Sequence, residues 1–519
     1  MAIVLPLALG VLCVLVFVRK VGSREAGLPP GPPTIPLLGN LHIFPTEFAH
    51  YKFTEWARKY GGIYSLKIGP GTAVVLTDTA AVKELMDNRS GSTVDRPPMH
   101  VADLVAGGLN MHSLPFQLNP RAFTPTSDAT QTPSSSPYST ESVRRDTRPP
   151  ETTAFFNAQH EWELVLEPGA TPPVDLIPIL KYVPARWAKW KRDCAKTRKL
   201  QRELYFGLLD ETKERLRRGE ENGSYMEEVL ARAEEFGLDR ENTGYLGGVL
   251  IEGGSDTTSS FLQSLILAMV AYPEAQRKAQ EEMDRVVGEH RMPTLEDLEE
   301  MPYIRAVVRE THRFRPVAPL LIPHSPLNAE EVGVSYCVTK TYLLSRLSFK
   351  YNGFIIPQGA TIFVNVWGIF HDPELYNDPE NFIPDRYLLT ENGTRPEVDG
   401  SDLRPTLPFG VGRRVCPGIH LAQNSININA MNLVWAFNFT TELDGEGNPV
   451  KLDTFDYQKG ILTAPRPFKC KITPRSTEKA ELIEREFLEA ADTFSKFEFG
   501  ISPEDKAFVA ESRMRRADG

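Results

Sequence analysis

The sequence predicts a mainly α-helical fold with a small β region, carried behind an N-terminal apolar segment. Three observations lead there. Apolar residues recur at helical spacing through Arg192–Arg218, Thr243–Ala271, Pro273–Gly288 and Tyr303–Arg313. The β-prone residues gather in two runs, Ile63–Ile68 and Ala73–Leu76, with one further short run at Thr361–Val366 that reads as a buried strand. Ahead of all of these, Ala2 to Val18 carry no charge and are mostly apolar.

Taken in order, the first segment would reach roughly 26 Å as a helix, just short of a bilayer core of about 30 Å. It has no basic residue before it and no small-residue cleavage site after it, and it runs into Arg19, Lys20 and Arg24. Residues 1–20 are therefore expected to be an uncleaved transmembrane anchor, and the basic flank leaves the following body in the cytoplasm. Residues 21–33 form a basic and Pro-rich linker ending in Pro29-Pro30-Gly31-Pro32-Pro33, where fixed φ angles and missing N–H donors exclude a helix and predict a stiff spacer. Gly69-Pro70-Gly71 between the first two β-prone runs predicts a hairpin.

From residue 34 to 474 no repeat is visible, and one large domain is expected. Beyond Pro474 a charged helical tail, residues 475–519, places Leu482, Ile483, Phe487 and Leu488 among many charges, which suits an amphipathic helix that packs on the body. Two segments break the pattern. His112 to Thr153 is a Pro/Ser/Thr-rich run with too few large apolar side chains to offset its ordering entropy, and is expected to be disordered. Val332 to Lys350 separates an apolar run from Tyr351-Asn352-Gly353 with no recognisable turn chemistry at either end, and is expected to be disordered as well.

The 519 residues are 41% hydrophobic and 24% charged, enough for a large core, and the net charge of -10 excludes nonspecific binding to nucleic acid. Cys13, Cys194, Cys337, Cys416 and Cys470 lie far apart with no C-x-x-C pair, which implies a reducing compartment. The N-x-S/T sites at Asn88, Asn222, Asn392 and Asn438 then read as chance occurrences.

Chemistry concentrates around one cysteine, in Phe409-Gly410-Val411-Gly412-Arg413-Arg414-Val415-Cys416-Pro417-Gly418. A buried free cysteine is ordinarily an inert small hydrophobe. Here glycines on both sides let the backbone approach a flat ligand, and backbone N–H groups can bond to a thiolate. A second motif, Gly253-Gly254-Ser255-Asp256-Thr257-Thr258, sits inside the Thr243–Ala271 helix. Each glycine there costs about 1 kcal/mol relative to alanine, which asks for a reason such as close approach of a ligand. The Thr257 hydroxyl is placed to bond the Gly253 carbonyl and open a groove, with an acid beside it that can relay protons. Third, Glu310 and Arg313 share a helical face, a spacing that also occurs at Glu55/Arg58, Glu141/Arg144, Glu214/Arg217, Glu274/Arg277 and Glu282/Arg285. Context singles out Glu310 and Arg313: they precede Phe314-Arg315-Pro316 and are followed by Phe382-Ile383-Pro384-Asp385-Arg386-Tyr387.

The cysteine segment matches F-G-x-G-x-R-x-C-x-G, and by it the chain resembles the cytochrome P450 family, from Leu28 to about Pro474 outside the two aberrant segments. It looks closest to fungal microsomal members that act on natural products, of the O-methylsterigmatocystin oxidoreductase kind. The resemblance implies haem b with Cys416 as axial iron ligand, a loop of Phe409, Gly410 and Gly418 around it, and Arg414 on a haem propionate. It implies proton delivery to dioxygen through Asp256 and Thr257, and a structural triad of Glu310, Arg313 and Arg386. His324 stands where the family often places a propionate partner, though a lone histidine is as often a satisfied core or surface residue. Asn365 to Asp372 resembles the family's strand-to-loop segment before F-x-P-x-R. The implied reaction inserts one atom of O2 into a hydrophobic small molecule, with electrons from a separate NADPH–cytochrome P450 reductase, since this chain carries no flavin domain. Membrane lipid is an expected partner, nucleic acid is not, and the expected location is the endoplasmic reticulum membrane, single-pass, with the catalytic domain cytoplasmic.

Two rivals stand beside this reading. A haem-thiolate isomerase or dehydratase would need neither dioxygen nor reductase, and the intact Asp256–Thr257 pair argues against it. A catalytically impaired product of a pseudogene or faulty gene model is the other. The family places a helix bearing W-x-x-x-R, whose Trp and Arg contact a propionate, where His112–Thr153 lies. This sequence has no W-x-x-x-R: Trp187 and Trp190 are followed four residues later by Lys191 and Cys194. Removing Val332–Lys350 would join Glu331 to Tyr351-Asn352-Gly353 in a compact connection. Retained intron or frame-shifted sequence would explain both segments and predicts weak haem binding.

Overall fold

A computed structural model of the protein describes residues 21–109, 150–326, 348–351 and 353–494. Helices form most of it. α1 (Ala49–Tyr60) buries Phe53 and Trp56 and stops at Gly61, whose φ of 101° suits no other residue well. β1 (Ile63–Ile68) and β2 (Gly71–Leu76) then pair antiparallel, Ile63 opposite Leu76, as the Gly-Pro-Gly turn requires. α2 (His100–Ala106) and α3 (Pro150–Leu166) flank the first gap in the described residues. α4 (Lys189–Arg217), α5 (Arg240–Ala271), α6 (Pro273–Val286) and α7 (Pro302–Phe314) follow the helical spacing of the sequence within a few residues at each end.

β3 (Ser348–Tyr351) and β4 (Phe354–Pro357) make a second antiparallel pair, while β5 (Thr361–Val364) adds to β2 in parallel, Ala73 opposite Thr361. α8 (Val366–Phe370) is short, α9 (Ile419–Ala436) is long, and β6 (Phe437–Thr441) pairs with β7 (Cys470–Pro474) before α10 (Thr477–Phe494) closes the described chain.

The main core gathers Phe261, Met269, Met283, Val307, Met431 and Trp435 from α5, α6, α7 and α9. A second core lies under the first sheet and joins Val74, Ile362, Met86, Leu407 and Val411. Leu407 and Val411 belong to the chain just before Cys416, so this packing sets where that loop sits.

Several expectations change. The stretch 21–33 is no free spacer: Pro30 O accepts from Ser65 N at 2.7 Å, and the Arg24 guanidinium bonds Ser65 O, Gly31 O and Pro32 O, because proline carbonyls remain good acceptors for the strand edge beside them. Residues 110–149 lie outside the described residues, but the last part of His112–Thr153 already belongs to α3, where Phe155 and Trp162 supply the apolar face that the run before them lacks. Residues 327–347 also lie outside; the end of Val332–Lys350 is ordered as β3, its edge satisfied by β4. The run Thr361–Val366 ends as a strand at Val364, since the Asn365 side chain accepts from Gly368 N at 3.1 Å and starts α8, turning the expected strand-to-loop segment into a helix. The anchor, residues 1–20, lies outside the described residues, among which no helix is long and apolar enough to cross a membrane. The tail packs through Leu482, which enters the main core, and Ile483 beside it, while buried Lys479 reaches Asp284 at 3.1 Å over the Trp435 ring; Phe487, expected on the same face, is 43% exposed.

Candidate active site

The base of the site is an ion network on α7. Arg313 is wholly buried and bonds both Glu310 oxygens, at 2.8 and 2.9 Å, while three further bonds reach the carbonyls of Phe370, Pro379 and Asn381. Arg386 approaches Glu310 at 3.2 Å, and Ile383 N–H donates to it at 2.7 Å. Glu310 and Arg313, paired by spacing, and Arg386, implied by the resemblance, are thus one cluster, with the Glu310 charge matched by two guanidinia and the forks satisfied by backbone. One helical position along, His312 lies with its ring centre 4.4 Å from Phe261 on α5 and 5.2 Å from Phe409 in the cysteine loop. Burial drives its pKa down to about 3, so the ring is a neutral aromatic spacer.

The loop itself is held from below. Asp87 accepts from Gly412 N at 2.8 Å and pairs with Arg404 at 2.7 Å, and Arg404 in turn bonds Gly410 O. Gly412 is required twice over: its φ is +58°, and a Cβ there would stand 2.2 Å from Met86 O. Cys416 N donates to Phe409 O at 2.8 Å, which folds the loop back on itself and leaves the sulfur partly exposed, with the Gly418 N–H bonded to it. Burial raises the thiol pKa, and the Gly418 bond acts the other way. A thiolate at this position therefore calls for a cation to pair with.

Beside the loop, cationic side chains converge. Arg414 bonds Val94 O at 2.9 Å, and Arg96 bonds the carbonyls of Ile322 and Pro323 at 2.7 and 2.9 Å. Burial first, and then the Arg414 charge, brings Arg96 down to about 9, and its Nε is buried without a partner. His324 is buried with Nδ1 2.9 Å from Thr93 O; burial, then Arg96, lowers it to about 3 and keeps it neutral. Asp95 is the carboxylate whose charge acts on both arginines. Arg96 was not read from the sequence. Its only local sign is the Asp95-Arg96-Pro97-Pro98 loop, and its neighbours lie more than 200 positions away.

On α5, Thr257 Oγ donates to Gly253 O at 2.8 Å, the bond the motif suggested. A Cβ at Gly253 or Gly254 would meet nothing within 4 Å, so both glycines face open space on the helix surface. Asp256 follows them and shares a hydrogen bond with Glu163 of α3, an acid that no motif marks.

The cytochrome P450 family model matches residues 29–113 and 141–472 of this sequence. The chain belongs to the cytochrome P450 family. A cytochrome P450 monooxygenase of Armillaria gallica is 39% identical, over 96% of this chain and 99% of its own. Another from Arthrobotrys oligospora is 39% identical over 92% and 94%, and macC of Penicillium terrestre 36% identical over 92% and 95%. As a member of this family the chain is an oxidoreductase, a cytochrome P450 monooxygenase, and such enzymes use haem, dioxygen, a small-molecule substrate and a redox partner. The unmatched stretch between 113 and 141 falls inside the Pro/Ser/Thr-rich run, whereas 332–350 lies inside the matched range. The reading of an impaired product draws no support from these relatives.

The residues present fit a haem. Cys416 offers a sulfur in a glycine-walled loop, and Arg96, Arg414 and His324 gather where propionates would be met, with the orphaned Arg96 Nε still in need of an acceptor.

Proposed function

We propose that this cytochrome P450 inserts one oxygen atom of O2 into an apolar organic substrate, with haem b held by Cys416 and electrons from NADPH through a separate reductase. The observation that carries the reading is the link between the two motif sites: Phe261, four residues after Thr257 on α5, packs at a tilt against His312, which meets Phe409 of the cysteine loop edge-on. A haem held by that sulfur supplies the redox chemistry that activates dioxygen. Arg96 and Arg414 would hold its propionates, with His324 beside them as a neutral ring. Asp256 and Thr257 carry protons; the Thr257 hydroxyl, whose single proton rests on Gly253 O, gives that proton outward as it accepts one from the acid side. Glu310, Arg313 and Arg386 keep the loop's floor rigid and take no part in the chemistry.

The reading includes residues 1–20 as an anchor in the endoplasmic reticulum membrane, with the body cytoplasmic and lipid as a partner. In support, Ile179, Tyr182 and Trp187 are 74%, 84% and 70% exposed, and the preceding Leu176 and Ile177 lie against Gly71 and Gly69 of the first hairpin. An apolar substrate would then partition from the bilayer.

The test is incubation of the full chain with reductase, NADPH and a panel of apolar natural products under 18O2. The expected product gains one labelled oxygen. Products that rearrange or lose water without consuming NADPH would replace this reading with an isomerase or dehydratase.

A further inference from the structure

Three carboxyl groups lie together where α3 and α4 pack beside α5. Glu252, one turn before Asp256, is buried and accepts from the Tyr205 hydroxyl, from Gln201 Nε2 at 3.0 Å and from the Trp162 indole. Glu163 on α3 accepts from Gln159 Nε2 at 3.1 Å and shares a hydrogen bond with Asp256. Two carboxylates repel and have no proton to donate, so a Glu163–Asp256 hydrogen bond exists only with one proton between them. Burial first, and the Asp256 charge second, raises Glu163 far above the usual carboxylate range, and none of the groups that move it is a cation. The groups facing it are Gln159 from α3, Glu252 and Asp256 from α5 and, from the loop after β6, the backbone of Gly460.

A second observation is independent of these acids. Gln159 and Gln201 are 6% and 1% exposed, and the Oε1 of each is buried with no donor. Both amides have spent an N–H on a carboxylate of the cluster, which leaves their oxygens as acceptors beside it. Buried acceptors of this kind are where ordered water is held.

We propose that Glu163 is a positioning residue that reloads Asp256 with protons, fed by water held at the Gln159 and Gln201 amide oxygens. The proposal rests on the Asp256–Thr257 relay. In each turn Asp256, charged at rest, takes up the one shared proton and passes it on to Thr257. That proton comes from Glu163 across their hydrogen bond, both groups are left briefly as carboxylates, and water returns one proton to Glu163 to restore the pair. No electrons move, and the third carboxyl, Glu252, stays hydrogen-bonded to Tyr205 and takes no part in the transfer.

The test uses the full-length, haem-loaded protein. Glu163→Gln keeps the shape and a donor but has no transferable proton; Glu163→Asp keeps the acid. Infrared spectra above neutral pH should show a protonated-carboxyl C=O band in the wild type that Glu163→Gln removes. With reductase, Glu163→Gln should raise peroxide formed per NADPH several-fold, more so as pH rises, with Glu163→Asp partly restoring coupling. A band unchanged in Glu163→Gln overturns the shared proton. Coupling lost in Asp256→Asn but kept in Glu163→Gln overturns the role of Glu163 alone. Coupling kept in both overturns the Asp256–Thr257 reading and this proposal with it.

Discussion

Replacing Arg313 by alanine isolates what the buried ion network contributes. Arg313 makes two bonds to Glu310 and three to backbone carbonyls, all between 2.7 and 3.0 Å, with no solvent access. Its loss leaves Glu310 with Arg386 at 3.2 Å and the Ile383 N–H at 2.7 Å, so the carboxylate is half-compensated. Breaking one partner out of a buried ion pair costs about 3–5 kcal/mol. The orphaned carbonyls of Phe370, Pro379 and Asn381 push the figure toward the upper end, a large share of the ~5–15 kcal/mol that holds a domain folded. Urea unfolding followed by tryptophan fluorescence, with haem retention read in parallel, measures it. Arg313→Lys keeps the charge without the fork and should fall between. A loss below about 1 kcal/mol for Arg313→Ala would refute the view that this network supports the site.

Glu252 predicts a pH dependence of stability. Burial raises it from 4.5 to about 7, so the folded chain keeps a proton that the unfolded chain releases. Its contribution is complete below the unfolded value and is lost as pH rises through the folded one, with a slope of about 1.4 kcal/mol per pH unit that Glu252→Gln should remove from the denaturation profile. Gly412→Ala puts a Cβ against Met86 O at a positive φ and should detach the loop from Asp87, seen as loss of haem at unchanged far-ultraviolet circular dichroism. Arg96→Ala should speed haem release to excess apo-globin about tenfold, the value of one charged hydrogen bond; an unchanged rate would remove Arg96 from the propionate site.

Much of this was legible in the chain because it is local. The hairpin follows from Gly69-Pro70-Gly71, and the Thr257–Gly253 bond from a four-residue spacing on one helix. Six E-x-x-R pairs look alike by spacing; flanking sequence singled out Glu310 and Arg313, and the fold shows what sets them apart. Glu214 and Glu274 pair with their arginines in solvent, Glu282 turns inward to cap the N-terminus of α7 through Tyr303 and Ile304, and among the described pairs Glu310 alone meets a second arginine in the core. What escaped is long-range. The Asp87–Arg404 pin, the Arg96–Arg414 convergence and the Glu163–Asp256 pair join positions that no periodicity connects. The proline stretch misled because proline lacks a donor but keeps its carbonyl, and Ser65 uses it.

Cys416 as the iron ligand is the claim on which the rest depends. The reduced, carbon monoxide-bound difference spectrum of the full chain reads it directly. The wild type should show the strongly red-shifted Soret band of a thiolate ligand, and Cys416→Ala should abolish it. Survival of that band in Cys416→Ala would contradict the account.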